Sequence, residues 1–337
     1  MSDRGNSPKD KVGDADDENE DGSRGGDGVD DSVALAAELE KVGFNETRVQ
    51  HSPQAPPEKA EKPRQDAAID ALAQELYEGK YKNILVIAGA GVSTAAGVPD
   101  FRSPKTGLYA NLGRFKLESP TDVFDISYFR TNPEPFYVLS RDLYRDDLQP
   151  TCAHRFLQLL DRQGLLLRLY TQNIDGLDRK AGIRDDKIVE AHGSYASASC
   201  IACREPCGMD MVLEHMRSEP IRIPKCGVCS AFIKPDITFF GESLPDRFYE
   251  LLPNDVERAD FVFVMGTSLK VMPVAGIVSL IDKNIKRVLI NREMVGDFDH
   301  RRDTIFLGDI ETTTSALHDA YSSLLAADSA PSATIAP

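Results

Sequence analysis

A chain of 337 residues can hold one large domain or two smaller ones, and 41% hydrophobic residues supply a substantial core. Lys and Arg number 39 against 54 Asp and Glu, a net charge of −15, so no basic stripe offers itself to nucleic acid. No run of 18 apolar residues occurs, which excludes a membrane-spanning helix.

Residues 1–31 hold eleven Asp or Glu against four Lys or Arg and almost no large apolar side chains. Such a segment cannot bury enough surface to offset its ordering entropy, so it is expected to be disordered. Residues 32–43 carry Val33, Leu35, Leu39 and Val42 behind Asp31 or Ser32 as a cap, the pattern of a short amphipathic helix. Residues 52–65, rich in Pro, Lys and Glu, read as a linker. The acidic N-terminus resembles neither a signal peptide nor a mitochondrial presequence, so the expected location is cytoplasmic or nuclear.

From Asp66 onward strand and helix patterns alternate. Asp66 to Tyr77 has helical period, with Ile69, Leu72, Leu76 and Tyr77 on one side. Strands are predicted at 83–88, 165–170, 187–191, 261–265, 287–290 and 304–307. Helices are predicted at 134–144, 152–163, 245–252, 274–284 and 311–325. Six mostly continuous apolar strands with helical crossovers give an α/β fold, a doubly wound parallel (Rossmann-like) sheet covered on both faces. Ligands in such folds sit at the carboxyl ends of the strands. Two stretches interrupt the alternation. Residues 98–148 are long and rich in aromatics, and residues 195–233 carry five of the six cysteines. Both are expected to leave the sheet and build a smaller module, with a binding cleft between module and sheet.

Cys200-Ile201-Ala202-Cys203 and Cys226-Gly227-Val228-Cys229 are two Cys-x-x-Cys knuckles. Four thiolates from two tight turns close a tetrahedral structural zinc site with no open position for chemistry. Disulfides are the rival reading, disfavoured by the lack of an export signal. Cys207 breaks the spacing and is expected to be a bystander. Cys152 opens a predicted helix and is assigned to packing.

The polar residues with chemical potential lie where strands end. Gly89-Ala90-Gly91-Val92-Ser93-Thr94 follows the apolar run 84–88, the place where backbone N–H groups meet phosphate. The third glycine of G-x-G-x-x-G is absent, since position 94 is Thr94. Tyr170 to Asp178 presents Gln172, Asn173 and Asp175, amide and acid groups able to hold a carboxamide. His192 ends the strand Ile188 to Ala191 and is the best general-base candidate of six histidines. His154 sits on an amphipathic helix and is read as structural, while His51, His215, His300 and His318 carry no assignment. Thr267 and Ser268 follow one strand, and Asn291 ends another, suited to phosphate or ribose contacts.

The run Gly89 to Ser103, with Val98-Pro99-Asp100-Phe101-Arg102-Ser103 at its end, resembles the NAD-binding signature of the sirtuins, NAD-dependent protein lysine deacylases. The resemblance covers about residues 66–326 and is strongest to the eukaryotic class I deacetylases. It implies a catalytic domain over 63–326, between an N-terminal region of 1–62 and a tail of 327–337. It implies NAD as cofactor, one structural zinc, and acetylated proteins such as histones or cytosolic proteins as substrates. By it, Ala90, Gly91, Val92, Ser93, Thr94, Asp100, Phe101 and Arg102 would wrap the phosphates and the nicotinamide ribose. Gln172, Asn173, Ile174 and Asp175 would line the ribose and nicotinamide pocket, with Asn173 and His192 catalytic. Thr267 and Ser268 would touch the adenosine, and Asn291, Arg292, Glu293 and Ile310 would lie near it. The substrate would enter as an added strand between Gly241-Glu242 and Val271-Met272, past Ile237, Thr238 and Phe239. Thr238 and Val274 stand where many relatives have Val and Phe. Tyr109 is followed by no cation before Arg114, so acidic acyl groups would lack a partner. A mono-ADP-ribosyltransferase and a non-enzymatic NAD-sensing scaffold are the competing functions.

Overall fold

The computed structural model describes residues 62–98, 115, 117 and 119–329. The expectations for residues 1–61, the Asp100-Phe101-Arg102 segment, Tyr109 and Arg114 lie outside the described residues.

Six parallel strands form the main sheet: β1 (Ile84–Ala88), β2 (Leu166–Thr171), β3 (Ile188–Glu190), and the later strands Phe261–Met265, Lys286–Asn291 and Thr304–Leu307. Three strands of a second sheet intervene in the chain: β4 (Gly193–Cys200), β5 (Pro206–Cys207) and β6 (Ile233–Ile237). The later main-sheet strands are therefore β7, β8 and β9, and the spatial order is β3-β2-β1-β7-β8-β9. Chain direction across the sheet reverses between β1 and β7, which pair in register with Ile87 opposite Val264. That is the switch point at which open α/β sheets bind ligands.

The strands are apolar on both faces because both are covered. Ile84, Val86 and Ala88 pack with α1 (Lys62–Tyr77), α4 (Cys152–Arg162) and α9 (Ile310–Ser329). Leu85 and Ile87 point the other way, toward α7 (Asp246–Arg258) and the short α8 (Ile277–Leu280). Alternation within a continuous apolar run is how a doubly covered strand reads. The fully buried Asp255 of α7 accepts bonds from Arg168 Nε (2.7 Å) and the Tyr170 hydroxyl (2.9 Å), which locks that helix to β2.

The second sheet, order β5-β4-β6, has its own core. Phe124, Phe129 and Phe136, from the 120–124 turn, α2 (Ile126–Thr131) and α3 (Glu134–Leu143), pack on Ala198, Ile233 and Phe239. Val212 and Met216 of α6 (Met209–Arg217) complete it. The two sequence stretches that interrupt the alternation thus share one apolar cluster, and the four-residue α5 (Leu177–Lys180) lies between β2 and β3.

Some boundaries differ from the sequence reading. α1 begins at Lys62, inside the expected linker. α9 continues to Ser329, three residues into the expected tail. α7 runs through Pro253 to Arg258, because Phe248, Leu252 and Asp255 share a buried face that outweighs one lost backbone bond. The helix expected over 274–284 is a 3₁₀ turn (Val274–Gly276) followed by α8, and Ile281 is extended. Asp282 Oδ1 accepts from the Asn284 N–H (2.8 Å), a local bond that competes with helix. Among the described residues no helix is long and apolar enough to cross a membrane.

The junction of the two sheets depends on Gly193. It has φ +65°, and a Cβ there would stand 1.9 Å from the Asp236 carbonyl oxygen. Gly193→Ala is expected to cost more than about 2 kcal/mol, read as a fall in the urea midpoint. An unchanged midpoint would contradict this packing.

Candidate active site

A cavity of about 1350 Å³ opens at the carboxyl ends of β1, β2 and β7 and runs toward the second sheet. Its back wall is two turns pressed together. Gly91 N–H donates to Gly266 O (2.8 Å), and Gly89 N–H donates to Met265 O (3.0 Å). A Cβ on Gly91 would fall 2.6 Å from the Gly266 Cα, and one on Gly266 would fall 2.6 Å from the Val92 nitrogen. Only glycine lets the two backbones approach so closely.

Ala90, Gly91, Val92 and Thr94 line this end, with Thr267 and Ser268 after β7, Asn291 at the end of β8, and Arg292 and Glu293 after it. Ile310, at the start of α9, closes it. Gln172 Nε2 donates to Thr267 Oγ1 (2.8 Å), and Asn291 Nδ2 donates to Glu293 O (2.8 Å). Such hydroxyl and amide groups, with exposed loop backbone, suit ribose hydroxyls and phosphate, so the donor set fits a dinucleotide.

In the middle of the cavity stand Gln172, Asn173, Ile174 and His192. His192 Nδ1 lies 3.0 Å from the Gln172 carbonyl oxygen. A carbonyl only accepts, so Nδ1 carries the proton and the lone pair of the neutral ring is on Nε2. Burial disfavours the imidazolium and pushes the His192 pKa below its usual 6.5, while the Gln172 bond acts in the opposite sense. The ring is thus an acceptor at neutral pH.

Two sequence candidates sit behind the wall. Ser93 is fully buried, and its Oγ accepts from Asn173 Nδ2 (3.0 Å). It fixes the amide that faces the cavity. Asp175 Oδ1 accepts from the Leu177 N–H (2.9 Å) and shapes the loop. His154, on α4, is also fully buried, with Nε2 3.4 Å from Ser93 Oγ and Nδ1 2.7 Å from Thr151 Oγ1. Thr151 Oγ1 donates to Val92 O (2.7 Å), so the layer ties the glycine turn to α4. His154 also lies 3.9 Å from Asp178. Burial lowers the His154 pKa to about 4, and burial with the Asp175 charge raises that of Asp178 to about 7. Both groups are driven toward neutrality, so the contact is not an ion pair.

Ile237, Thr238, Phe239, Gly241, Glu242, Val271 and Met272 line the same cavity. Thr121, Phe124, Tyr249 and Lys270 also line the cavity and were not among the sequence candidates. Tyr249 lies on α7 with nothing local to mark it, since only the packing of that helix turns it inward.

The Sir2 family model matches residues 89–273, which contain the glycine turn, the cysteine module and His192. The chain belongs to the Sir2 family. It is 46% identical over 233 residues to the NAD-dependent protein deacetylase sirtuin-2 of Danio rerio, covering 68% of this chain and 61% of that protein. It is 46% identical over 250 residues to the NAD-dependent protein deacetylase hst2 of Schizosaccharomyces pombe, 74% and 75% of the two chains. To the NAD-dependent protein deacetylase sirtuin-3 of Mus musculus it is 43% identical over 247 residues, 72% and 73% of the two.

In this Sir2-family chain, Cys200, Cys203, Cys226 and Cys229 bring their sulfurs within 4.8 Å of one another. Contacts of 3.4–3.6 Å between them are far beyond a disulfide bond and close to the edge of a ZnS₄ tetrahedron, about 3.8 Å for Zn–S near 2.3 Å. The knuckles repeat one geometry. The N–H of Ala202 points at Cys200 Sγ and that of Val228 at Cys226 Sγ, each at 3.4 Å. Arg204 and Ser230, each following a second cysteine, have φ of 61° and 63°. Four soft thiolates fit one structural zinc ion, and none of them lines the cavity. Cys207 is outside the cluster and donates to Gly208 O. Metal analysis of the purified protein is expected to give one zinc per chain, and Cys226→Ser to lose the ion together with the fold of the second sheet. Full zinc occupancy in that variant would remove Cys226 from the ligand set.

Proposed function

We propose that the cavity is the active site of an NAD-dependent protein lysine deacetylase. The observation that carries this reading is His192, whose Nδ1 is tied to Gln172 O so that Nε2 is left as an acceptor, lining one cavity together with Asn173, the glycine turn and the apolar Ile237, Phe239 and Val271. NAD, when bound, supplies a ribose carbon with nicotinamide as leaving group, which becomes the acceptor of the acyl group.

The residues divide that task. The glycine turn, Thr267, Ser268 and Asn291 hold the dinucleotide by backbone and hydroxyl contacts. Asn173 presents an amide of fixed orientation, since Ser93 accepts one of its hydrogens. His192 Nε2 takes the proton of a ribose hydroxyl, with Gln172 O holding the ring in the tautomer that leaves Nε2 free to accept it. Ile237, Phe239 and Val271 exclude water from the acyl-lysine stem. The substrate lies as an extended peptide between Gly241-Glu242 and Val271-Met272, held through main-chain bonds. Thr238 N–H donates to His192 O (2.8 Å), so the residue beside the stem and the base share one backbone bond.

Incubation with an acetyl-lysine peptide and NAD is expected to remove the acetyl group only when NAD is present. A peptide or protein that instead gains the mass of ADP-ribose would favour the transferase reading, and no change in either would favour the scaffold. His192→Ala is expected to lower kcat by about 10²–10⁴-fold while NAD affinity holds. Near-normal turnover in that variant would take His192 out of the base role. Activity requires the unprotonated ring, whose pKa is lowered, so kcat should stay flat as pH falls through 7 and drop only below 6.5. An acid limb above pH 7 would contradict the burial of His192.

A further inference from the structure

Lys234 lies on β6, is 5% exposed and does not line the cavity. Its ammonium has an unusual set of partners for a lysine. Nζ donates to Ile237 O (2.6 Å) and lies 3.0 Å from Glu242 Oε2. It also lies 4.6 Å from the centre of the Phe239 ring. Nζ also donates to Pro235 O (3.3 Å) within the strand, whereas Ile237, Phe239 and Glu242 form the cavity wall.

Glu242 closes a turn in two ways. Its N–H donates to Phe239 O (3.0 Å), and its Oε2 accepts from the Phe239 N–H (3.0 Å). Gly241 inside the turn has φ +87°. Phe240 is tied to the neighbouring segment, its N–H donating to Phe124 O (2.8 Å) and its carbonyl accepting from Ile126 N–H (3.1 Å). The turn from Phe239 to Glu242 therefore has one edge fixed and the other facing the cavity. The Glu242 side chain is 11% exposed and 4.0 Å from Arg204, whose side chain is 71% exposed. A carboxylate that deep needs a desolvated partner, and solvent screens Arg204. Lys234 is that partner.

We propose that Lys234 is a positioning residue for the peptide half of the site: its buried ammonium holds the Glu242 carboxylate inward and so keeps the Phe239–Glu242 turn in the shape that receives an extended acyl-lysine peptide. This rests on the part of the deacetylase reading that seats an extended acyl-lysine peptide in the cavity. Without the cation, Glu242 carries an uncompensated charge in a dry site and turns to water, which frees the Phe239 N–H and the edge of the turn. The dinucleotide end shares none of these bonds.

The test measures binding of a fluorescent acetyl-lysine peptide by anisotropy, and of NAD by calorimetry, in the full chain. Lys234→Met is expected to raise the peptide Kd by about tenfold and leave the NAD Kd within about twofold. Lys234→Gln, which keeps a donor and lacks the charge, should give an intermediate rise and reads the same ratio if the methionine variant does not fold. Adding Glu242→Gln to Lys234→Met should recover part of the loss, because a neutral amide needs no cation. Zinc content and far-UV circular dichroism check that each variant is folded. Unchanged peptide affinity in a folded variant, or peptide and NAD affinities falling together, would overturn the proposal. Wild-type protein that binds the peptide without NAD-dependent turnover would overturn the deacetylase reading and leave the role of Lys234 standing. Wild-type protein that binds no acetyl-lysine peptide would overturn both.

Discussion

The near-contact of two glycine turns is the constraint from which the site follows. Gly91 and Gly266 lie in the turns that follow the adjacent strands β1 and β7, where the sheet changes direction, and each occupies space that a side chain of the other would need. Because neither has a Cβ, β1 and β7 can stay paired to their last residues and then diverge. The divergence opens the crevice. Much of the polar lining of the cavity is hung on its rim by strand ends: Gln172 and Asn173 after β2, His192 after β3, Thr267 after β7 and Asn291 at the end of β8. A larger residue at either glycine would act on all of them, since it would wedge the strands that carry them.

Behind the rim lies a second, buried polar layer. Ser93, His154 and Thr151 connect the glycine turn, the β2 loop and α4 through hydrogen bonds among uncharged groups. Neutrality matters here. A charged pair between His154 and Asp178 would cost desolvation of both ions. The uncharged arrangement keeps orientation without that penalty. The wall around Glu242 follows a different logic, since its carboxylate is met by a buried cation that also grips Ile237 and Phe239.

Much of this was legible in the chain. Continuous apolar runs gave all six strands of the main sheet to within a residue or two, because strands covered on both faces have no polar alternation to blur them. The cysteine pairs announced their cluster, since two tight turns with fixed spacing can do little else. The strand ends bearing Asn173, His192 and Thr267 were visible as polar residues abutting apolar runs. What escaped was tertiary. Ser93 reads as part of the cavity in sequence and is buried behind it in space. Tyr249 and Phe124 reach the cavity only because elements distant in the chain pack together. The helix predicted over 245–252 continues through Pro253, because the buried face of α7 carries it on to Arg258. Lys234 gave no signal, since a lysine in a strand is ordinarily solvated and its partners are set by the turn that follows.

The place of α9 bears on how the protein is made. Ile310 lines the cavity beside the glycine turn, while both carboxylate oxygens of Glu311 accept the Cys152 N–H at the first turn of α4, at 3.0 and 2.9 Å. Gln65 of α1 lies 3.5 Å from Thr313, so the opening and closing helices of the sheet domain meet. The glycine turn leaves the ribosome more than two hundred residues before this helix. During that interval it has no lid, and the start of α4 lacks its acidic cap. The cavity wall and the cap of α4 are therefore completed only once the chain has run into α9.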